Sequence, residues 1–412
     1  MNPFKKLASQ TAIYGLPTIV GRLLNYLLVP LYTNVFSPAE YGVVTELYAY
    51  VSFLGVLLTY GMETALFRFS ESKEDKDQVF STSLISIFST SFLFLLIIIL
   101  FLKPISAGMR YEAHPEYIFW FALIIVLDAI TAIPFAKLRQ ANKPKAFAII
   151  KSSNIFLNIV FNLFFIVFCS RVYSHPDSPF YALVSHIYNP QIGVGYIFIS
   201  NLLASLATLL MLLPGLLSVK YKLDKALLKR MLIYALPLLV AGLAGMVNET
   251  MDRILLKYLL PASSDVMAQI GIYGACYKVS IIMTIFIQTF RYAAEPFFFA
   301  EAKNKDATEI YAKVMKYFVI ACCLIFLGTL LYMDIVKYFV GEKFREGLFI
   351  VPILLLANLC LGVFFNLSIW YKLSGQTKFG AYLTIFGAII TLVCNYFWIP
   401  AYGYAGAAWA TP

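Results

Sequence analysis

Among the charged residues inside mostly apolar stretches, four are candidates for function. Arg22 lies near the middle of residues 11–35, Lys278 near the middle of 270–292, Arg253 in the second half of 231–258, and Asp128 near the middle of 117–136. A charge at the centre of a bilayer costs about 2.5–3.5 kcal/mol on insertion scales, so such side chains usually face a cavity. Three cations would suit an anionic headgroup such as a diphosphate, because the arginine fork matches phosphate oxygens and keeps its charge. The competing account is internal pairing. Glu249 stands one turn before Arg253 with Asp252 adjacent, whereas Arg22 and Lys278 have no acid within one turn. Arg22 would then need a buried partner such as Asp128. Asp128 can alternatively act as a titrating relay for H+ or Na+, a common role for a membrane carboxylate. Arg291 and Glu295, also at i,i+4, fall near a span end, where snorkelling or pairing is expected.

Other chemistry is sparse. The six cysteines (169, 276, 322, 323, 360, 394) fall in or beside apolar stretches without metal or redox spacing, and His114, His175 and His186 do not cluster. There is no Gly-rich phosphate loop, no His-Glu-x-x-His and no nucleophile elbow, so neither an enzyme nor a metal site is expected. The one long connection, Ser170 to Gly193, carries Tyr173, Tyr181 and Tyr188. These rings suit either sugar stacking or interfacial anchoring.

The elements that must position these residues are membrane spans. Hydrophobic residues make up 61% of the chain and charged residues 13%, against roughly 25% charged in soluble domains. Mean hydropathy is +0.79. A spanning helix needs about 20 apolar residues. Eleven stretches qualify: 11–35, 43–66, 79–102, 117–136, 146–169, 195–218, 231–258, 270–292, 314–336, 348–370 and 380–399. A twelfth begins near Tyr404 and stops at Pro412, so the last span is expected to be truncated in this chain. The first span runs on from Lys5 and Lys6 without a cleavage motif and is expected to stay as a signal anchor.

With the N-terminus in the cytoplasm, 21 of the 32 Lys and Arg fall in cytoplasmic segments and 7 in outer ones, Lys257 among the latter. That asymmetry predicts a multi-pass protein with a cytoplasmic N-terminus. It also accounts for most of the +10 net charge. The basic residues form no stripe of the kind that binds nucleic acid.

The chain repeats itself. Tyr14-Gly15-Leu16-Pro17 recurs as Tyr234-Ala235-Leu236-Pro237, and Tyr41-Gly42 as Tyr273-Gly274. Phe67-Arg68-Phe69-Ser70-Glu71 recurs as Phe297-Phe298-Phe299-Ala300-Glu301. The predicted fold is an all-α integral membrane protein of two pseudo-symmetric six-helix lobes, residues 1–219 and 220–412, joined by the basic stretch Lys220 to Arg230. Six spans per repeat is even, so both lobes enter the membrane the same way, as parallel repeats about a pseudo-two-fold along the normal.

Tyr14 to Tyr32, Phe36-Ser37-Pro38-Ala39-Glu40-Tyr41-Gly42 and Tyr60-Gly61-Met62-Glu63-Thr64-Ala65-Leu66-Phe67-Arg68-Phe69 resemble bacterial polysaccharide-repeat-unit (Wzx-like) flippases of the multidrug/oligosaccharidyl-lipid/polysaccharide exporter superfamily. The resemblance implies a V-shaped pair of lobes in the bacterial inner membrane. It implies movement of a polyprenyl-diphosphate-linked oligosaccharide from the cytoplasmic to the outer leaflet by alternating access, for surface polysaccharide biosynthesis. By similarity, Arg22 matches the family's basic lumen residues, while Lys278 and Arg253 match by position only. The implied partners are the lipid-linked oligosaccharide, membrane lipids and other polysaccharide assembly proteins. No cofactor is expected beyond a coupling ion, H+ or Na+. A cation-coupled drug or metabolite antiporter of the same superfamily is the alternative, for which Asp128 would be the coupling residue. A membrane-embedded polymerase or ligase is a third reading, opposed by the repeat and the lack of a large catalytic outer loop.

Overall fold

The computed structural model describes residues 21–411, apart from 22, 25, 72–74, 218, 262–263, 303–305, 375 and 377 and the side chains at 292, 293, 295, 296, 299 and 300. Arg22 and the first aromatic-x-Leu-Pro element lie outside the described residues. The described chain is helical, with no strand. It contains ten helices long and apolar enough to cross a membrane, and these coincide with the second to eleventh stretches above.

The elements are α1 (Leu28–Val35), α2 (Pro38–Thr59), α3 (Met62–Ser70), α4 (Lys76–Leu100), α5 (Pro115–Gln140), α6 (Pro144–Asn162), α7 (Gly195–Leu217), α8 (Lys225–Leu259), α9 (Val266–Glu301), α10 (Ala307–Leu331), α11 (Val351–Leu367), α12 (Lys378–Tyr402) and α13 (Tyr404–Ala410). A 25-residue helix such as α4 rises about 37 Å at 1.5 Å per residue, enough for a hydrocarbon core of about 30 Å.

Sequence signals place the helix starts. Ser37 and Glu40 form a capping box for α2: the Ser37 amide donates to Glu40 Oε2 at 2.8 Å and the Glu40 amide to Ser37 Oγ at 3.3 Å. Asp75 accepts the Asp77 amide at 3.0 Å to cap α4. Asp265 accepts the Ala268 amide at 3.0 Å to cap α9. Pro115 and Pro144 occupy the first turns of α5 and α6, where a missing N–H costs nothing.

The described residues form two compact units. One comprises the chain up to Ala49 together with Ala244 onward, and the other Tyr50–Leu243. Compactness and sequence repeat therefore divide the chain differently, since the described residues up to Ala49 pack with those from Ala244 onward. The V shape expected above concerns the placement of the lobes, which is separate from these packing facts.

In the Tyr50–Leu243 unit, α2 and α3 meet at a sharp joint where Tyr60 and Gly61 both adopt positive φ, 33° and 71°. Glycine suits this conformation, and a Cβ at Gly61 would come within 3.2 Å of the Ala235 carbonyl oxygen. The motif residue Tyr234 packs there, its ring 6.3 Å from Phe69 and under the Arg68 guanidinium at 4.4 Å. The basic connection is tied down at its end. The Lys222 amide donates to Ser81 Oγ at 2.7 Å, Gln78 donates to Asp224 Oδ2 at 2.9 Å, and Asp224 Oδ1 caps α8 through the Ala226 and Leu227 amides.

The aromatic loop of this unit is a small core of its own. Tyr173 packs against Tyr181 and Tyr188, and Tyr188 stacks on Tyr196 at 4.8 Å, which in turn stacks on Phe165 at 4.9 Å. Cys169, Val172 and Val184 are buried beneath. The rings meet each other, which is a packing role beyond the two roles expected from the sequence.

Candidate functional site

The unit made of the residues up to Ala49 and from Ala244 onward holds two of the three predicted cations, Arg253 on α8 and Lys278 on α9. It places Arg253 in an aromatic and acidic setting. The guanidinium lies over the Tyr277 ring at 4.1 Å, and one of its nitrogens donates to the Glu249 backbone carbonyl at 3.0 Å. The i,i+4 neighbour is thus engaged through its backbone, and among the described residues no carboxylate forms an ion pair with Arg253.

Asp252 is buried and directed elsewhere. Its Oδ2 accepts a hydrogen bond from the Tyr273 hydroxyl, and its Oδ1 accepts the Arg253 amide at 2.9 Å. A buried carboxylate satisfied by two donors is held in one orientation. The Arg253 fork is correspondingly left over a ring face, a geometry in which guanidinium groups bind planar anions well. Lys278 follows Tyr277 in the chain and is half-buried on the same helix.

Close packing of α2 on α9 builds this region. A Cβ on Gly42 would stand 2.0 Å from the Met267 carbonyl oxygen, and one on Gly271 would stand 1.9 Å from that of Pro38. Only two glycines allow the backbones so near. The Tyr-Gly steps that mark the repeat, Tyr41-Gly42 and Tyr273-Gly274, thus sit in one helix contact, with both tyrosines buried.

Within the same unit, Lys257 Nζ donates to Glu46 Oε2 at 2.8 Å, with side-chain exposures of 3% and 0%. Lys257 lies in the last turn of α8 with its side chain buried, and the acid on α2 neutralises it there. Sequence reasoning missed this pair because its members are 211 positions apart. The available signal was a lone acid, Glu46, within an apolar stretch.

A polar seam completes the unit. Asn248 Nδ2 donates to the Thr384 carbonyl at 3.2 Å and its Oδ1 accepts from Thr391 Oγ1 at 3.1 Å. Thr284 donates to Asn358 Oδ1 at 3.2 Å. Such bonds hold membrane helices together where lipid offers no partner.

Asp128 belongs to the Tyr50–Leu243 unit. Its side chain is exposed, and Oδ1 accepts from Ser205 Oγ on α7 at 2.9 Å. Arg22, and with it the suggested pairing of Arg22 with Asp128, lies outside the described residues.

The family model described as "Polysaccharide biosynthesis protein" matches residues 7–300. No curated protein sequence matches. Among solved structures, the chain is similar to an inward-facing multidrug resistance MATE family transporter of the MOP superfamily, with a TM-score of 0.71 at 15% identity over 97% of this chain and 90% of that one. It is also similar to the lipid II flippase MurJ in an inward closed conformation, at 0.70 and 14% over 97% and 84%. An outward-facing MATE structure matches at 0.65 and 16% over 100% and 94%. At these identities the likeness is one of fold.

Proposed function

The chain belongs to the polysaccharide biosynthesis protein family, and on that premise we propose that it flips a polyprenyl-diphosphate-linked oligosaccharide from the cytoplasmic to the outer leaflet of a bacterial inner membrane. Its family and its fold neighbours are transporters or flippases, so the protein is a carrier and not an enzyme. The two repeats, 1–219 and 220–412, are the halves that alternate access, with the N-terminus in the cytoplasm. Arg22, Arg253 and Lys278 contact the diphosphate.

The observation that carries this reading is Arg253. Its fork lies on Tyr277 while the neighbouring acid, Asp252, is occupied by Tyr273. A diphosphate offers the bidentate acceptors that such a fork fits. Arg22→Ala, Lys278→Ala and Arg253→Ala should each abolish or strongly reduce surface-glycan export while leaving membrane insertion intact. Wild-type export in all three overturns the reading.

A second reading rests on Asp128, whose exposed carboxylate within a membrane helix suits a cation-coupled antiporter. In that case Asp128→Asn would abolish H+- or Na+-driven uptake of a small cation, and the three arginine and lysine variants would retain it.

A further inference from the structure

The connection between α6 and α7 contains a short helix, Tyr181–Ile187, whose apolar face is wider than the core it covers. Val184 is buried against Cys169 and Val172, with Tyr173 and Tyr188 packed around them. Ser185 and His186 are exposed on the opposite side. Beside the buried face runs a ridge of Phe180, Leu183 and Ile187, which a helix of about 3.6 residues per turn brings into one line. These three side chains are 54%, 63% and 48% exposed. A single exposed leucine needs no explanation, but three large apolar side chains on one line do.

The ridge continues into a membrane span. Phe180 meets Phe168 edge to face at 5.9 Å. Phe168 in turn ends an exposed apolar stripe that runs through Phe156, Val160, Leu163 and Val167 along the span Pro144–Tyr173. From Phe156 to Phe168 the span holds no charged residue, so lipid rather than water is the solvent that suits this stripe. Its last turns, Leu163–Cys169, are π-helical. A π turn holds more residues than an α turn, and here Val167 and Phe168 are both exposed. The helix is fixed at this level from its other end as well. The Tyr188 amide donates to the Val184 carbonyl at 2.8 Å, and the Asn189 amide donates to the Tyr196 hydroxyl of α7 at 2.7 Å.

We propose that the helix Tyr181–Ile187 lies in the membrane interface, with Phe180, Leu183 and Ile187 set into the phospholipid beside the end of α6. Amphipathic helices that lie this way bury their apolar face about 5–10 Å into the boundary between headgroups and acyl chains. Ser185 and His186, on the opposite side, stay in water. The anchoring for which the tyrosines of this loop were candidates thus falls to other residues, because the tyrosines are occupied with one another. The helix holds the adjoining ends of α6 and α7 at one depth in the bilayer. The proposal is independent of what the protein carries, since none of the candidate cations or Asp128 takes part in it.

Tryptophan quenching in the full chain, reconstituted in phosphatidylcholine nanodiscs, tests it. Leu183→Trp, Ile187→Trp and His186→Trp each add one indole at an exposed position, so no buried packing is disturbed, and monodispersity reports that each variant folds. The emission of the four native tryptophans is subtracted. With phosphatidylcholine brominated on the upper part of its acyl chains, Leu183→Trp and Ile187→Trp should lose most of their added emission, and aqueous iodide should leave it nearly unchanged. His186→Trp should show the reverse. Quenching of all three by iodide, and none by bromine, would overturn the proposal by placing the ridge in water. Protection of positions 183 and 187 from both quenchers would also overturn it, because a second copy or another protein would then cover the ridge.

Discussion

At the residue scale, the interior charges divide into those that satisfy each other and those that address something else. Glu46 and Lys257 satisfy each other at 2.8 Å, both buried. Removing one partner of such a pair costs about 3–5 kcal/mol, while replacing both with apolar residues of similar size is often neutral. Lys257→Met should therefore lower Tm markedly, and Glu46→Leu with Lys257→Met should restore most of it. A double variant as unstable as the sum of the singles would contradict a direct pairing. Arg253 is different, since its neighbouring acid is held by Tyr273 and its own backbone amide. Tyr273→Phe releases Asp252 Oδ2 from that bond. The released acid should turn to Arg253 and reduce glycan export without loss of folding. Export equal to wild type would show that Asp252 does not compete for the fork.

At the element scale, the close approach of α2 and α9 depends on having no side chain at Gly42 and Gly271. Leucine at Gly271 would place atoms on the Pro38 carbonyl. The expected outcome is a loss of about 1–3 kcal/mol or more, the range for overpacking, measured as reduced Tm in detergent. An unchanged Tm would mean the contact yields easily. The helices themselves were legible from the sequence, because 20-residue apolar runs are long-range averages that a few polar residues do not disturb. Their capping residues, Ser37 with Glu40, Asp75 and Asp265, are local chemistry that a count of apolar runs passes over. What the sequence did not disclose is partnership across distance. Glu46 and Lys257 look like unrelated charges, and Tyr173, Tyr181 and Tyr188 look like free rings until they are seen packed on each other. The Tyr-Gly repeat pointed to a shared plan, yet gave no sign that residues up to Ala49 pack with the second repeat.

At the scale of the whole molecule, the chain belongs to the polysaccharide biosynthesis protein family, shares its fold with MATE transporters and MurJ, and has ten described helices long and apolar enough to cross a membrane. Its candidate site was only partly legible. Arg253, Lys278 and Asp128 stood out because charge within an apolar run is costly. Tyr277 did not, and Tyr273 drew notice only as part of a repeat, because tyrosine in a membrane helix is a common packing residue until its partners are known. The central claim is that the interior cations hold a diphosphate. Mass spectrometry of lipids that co-purify with the protein tests it most directly. A polyprenyl-diphosphate-linked oligosaccharide is expected with the wild type, lost on Arg22→Ala and reduced on Arg253→Ala. Recovery of bulk phospholipid alone, together with H+- or Na+-driven uptake of small cations in vesicles, would contradict it.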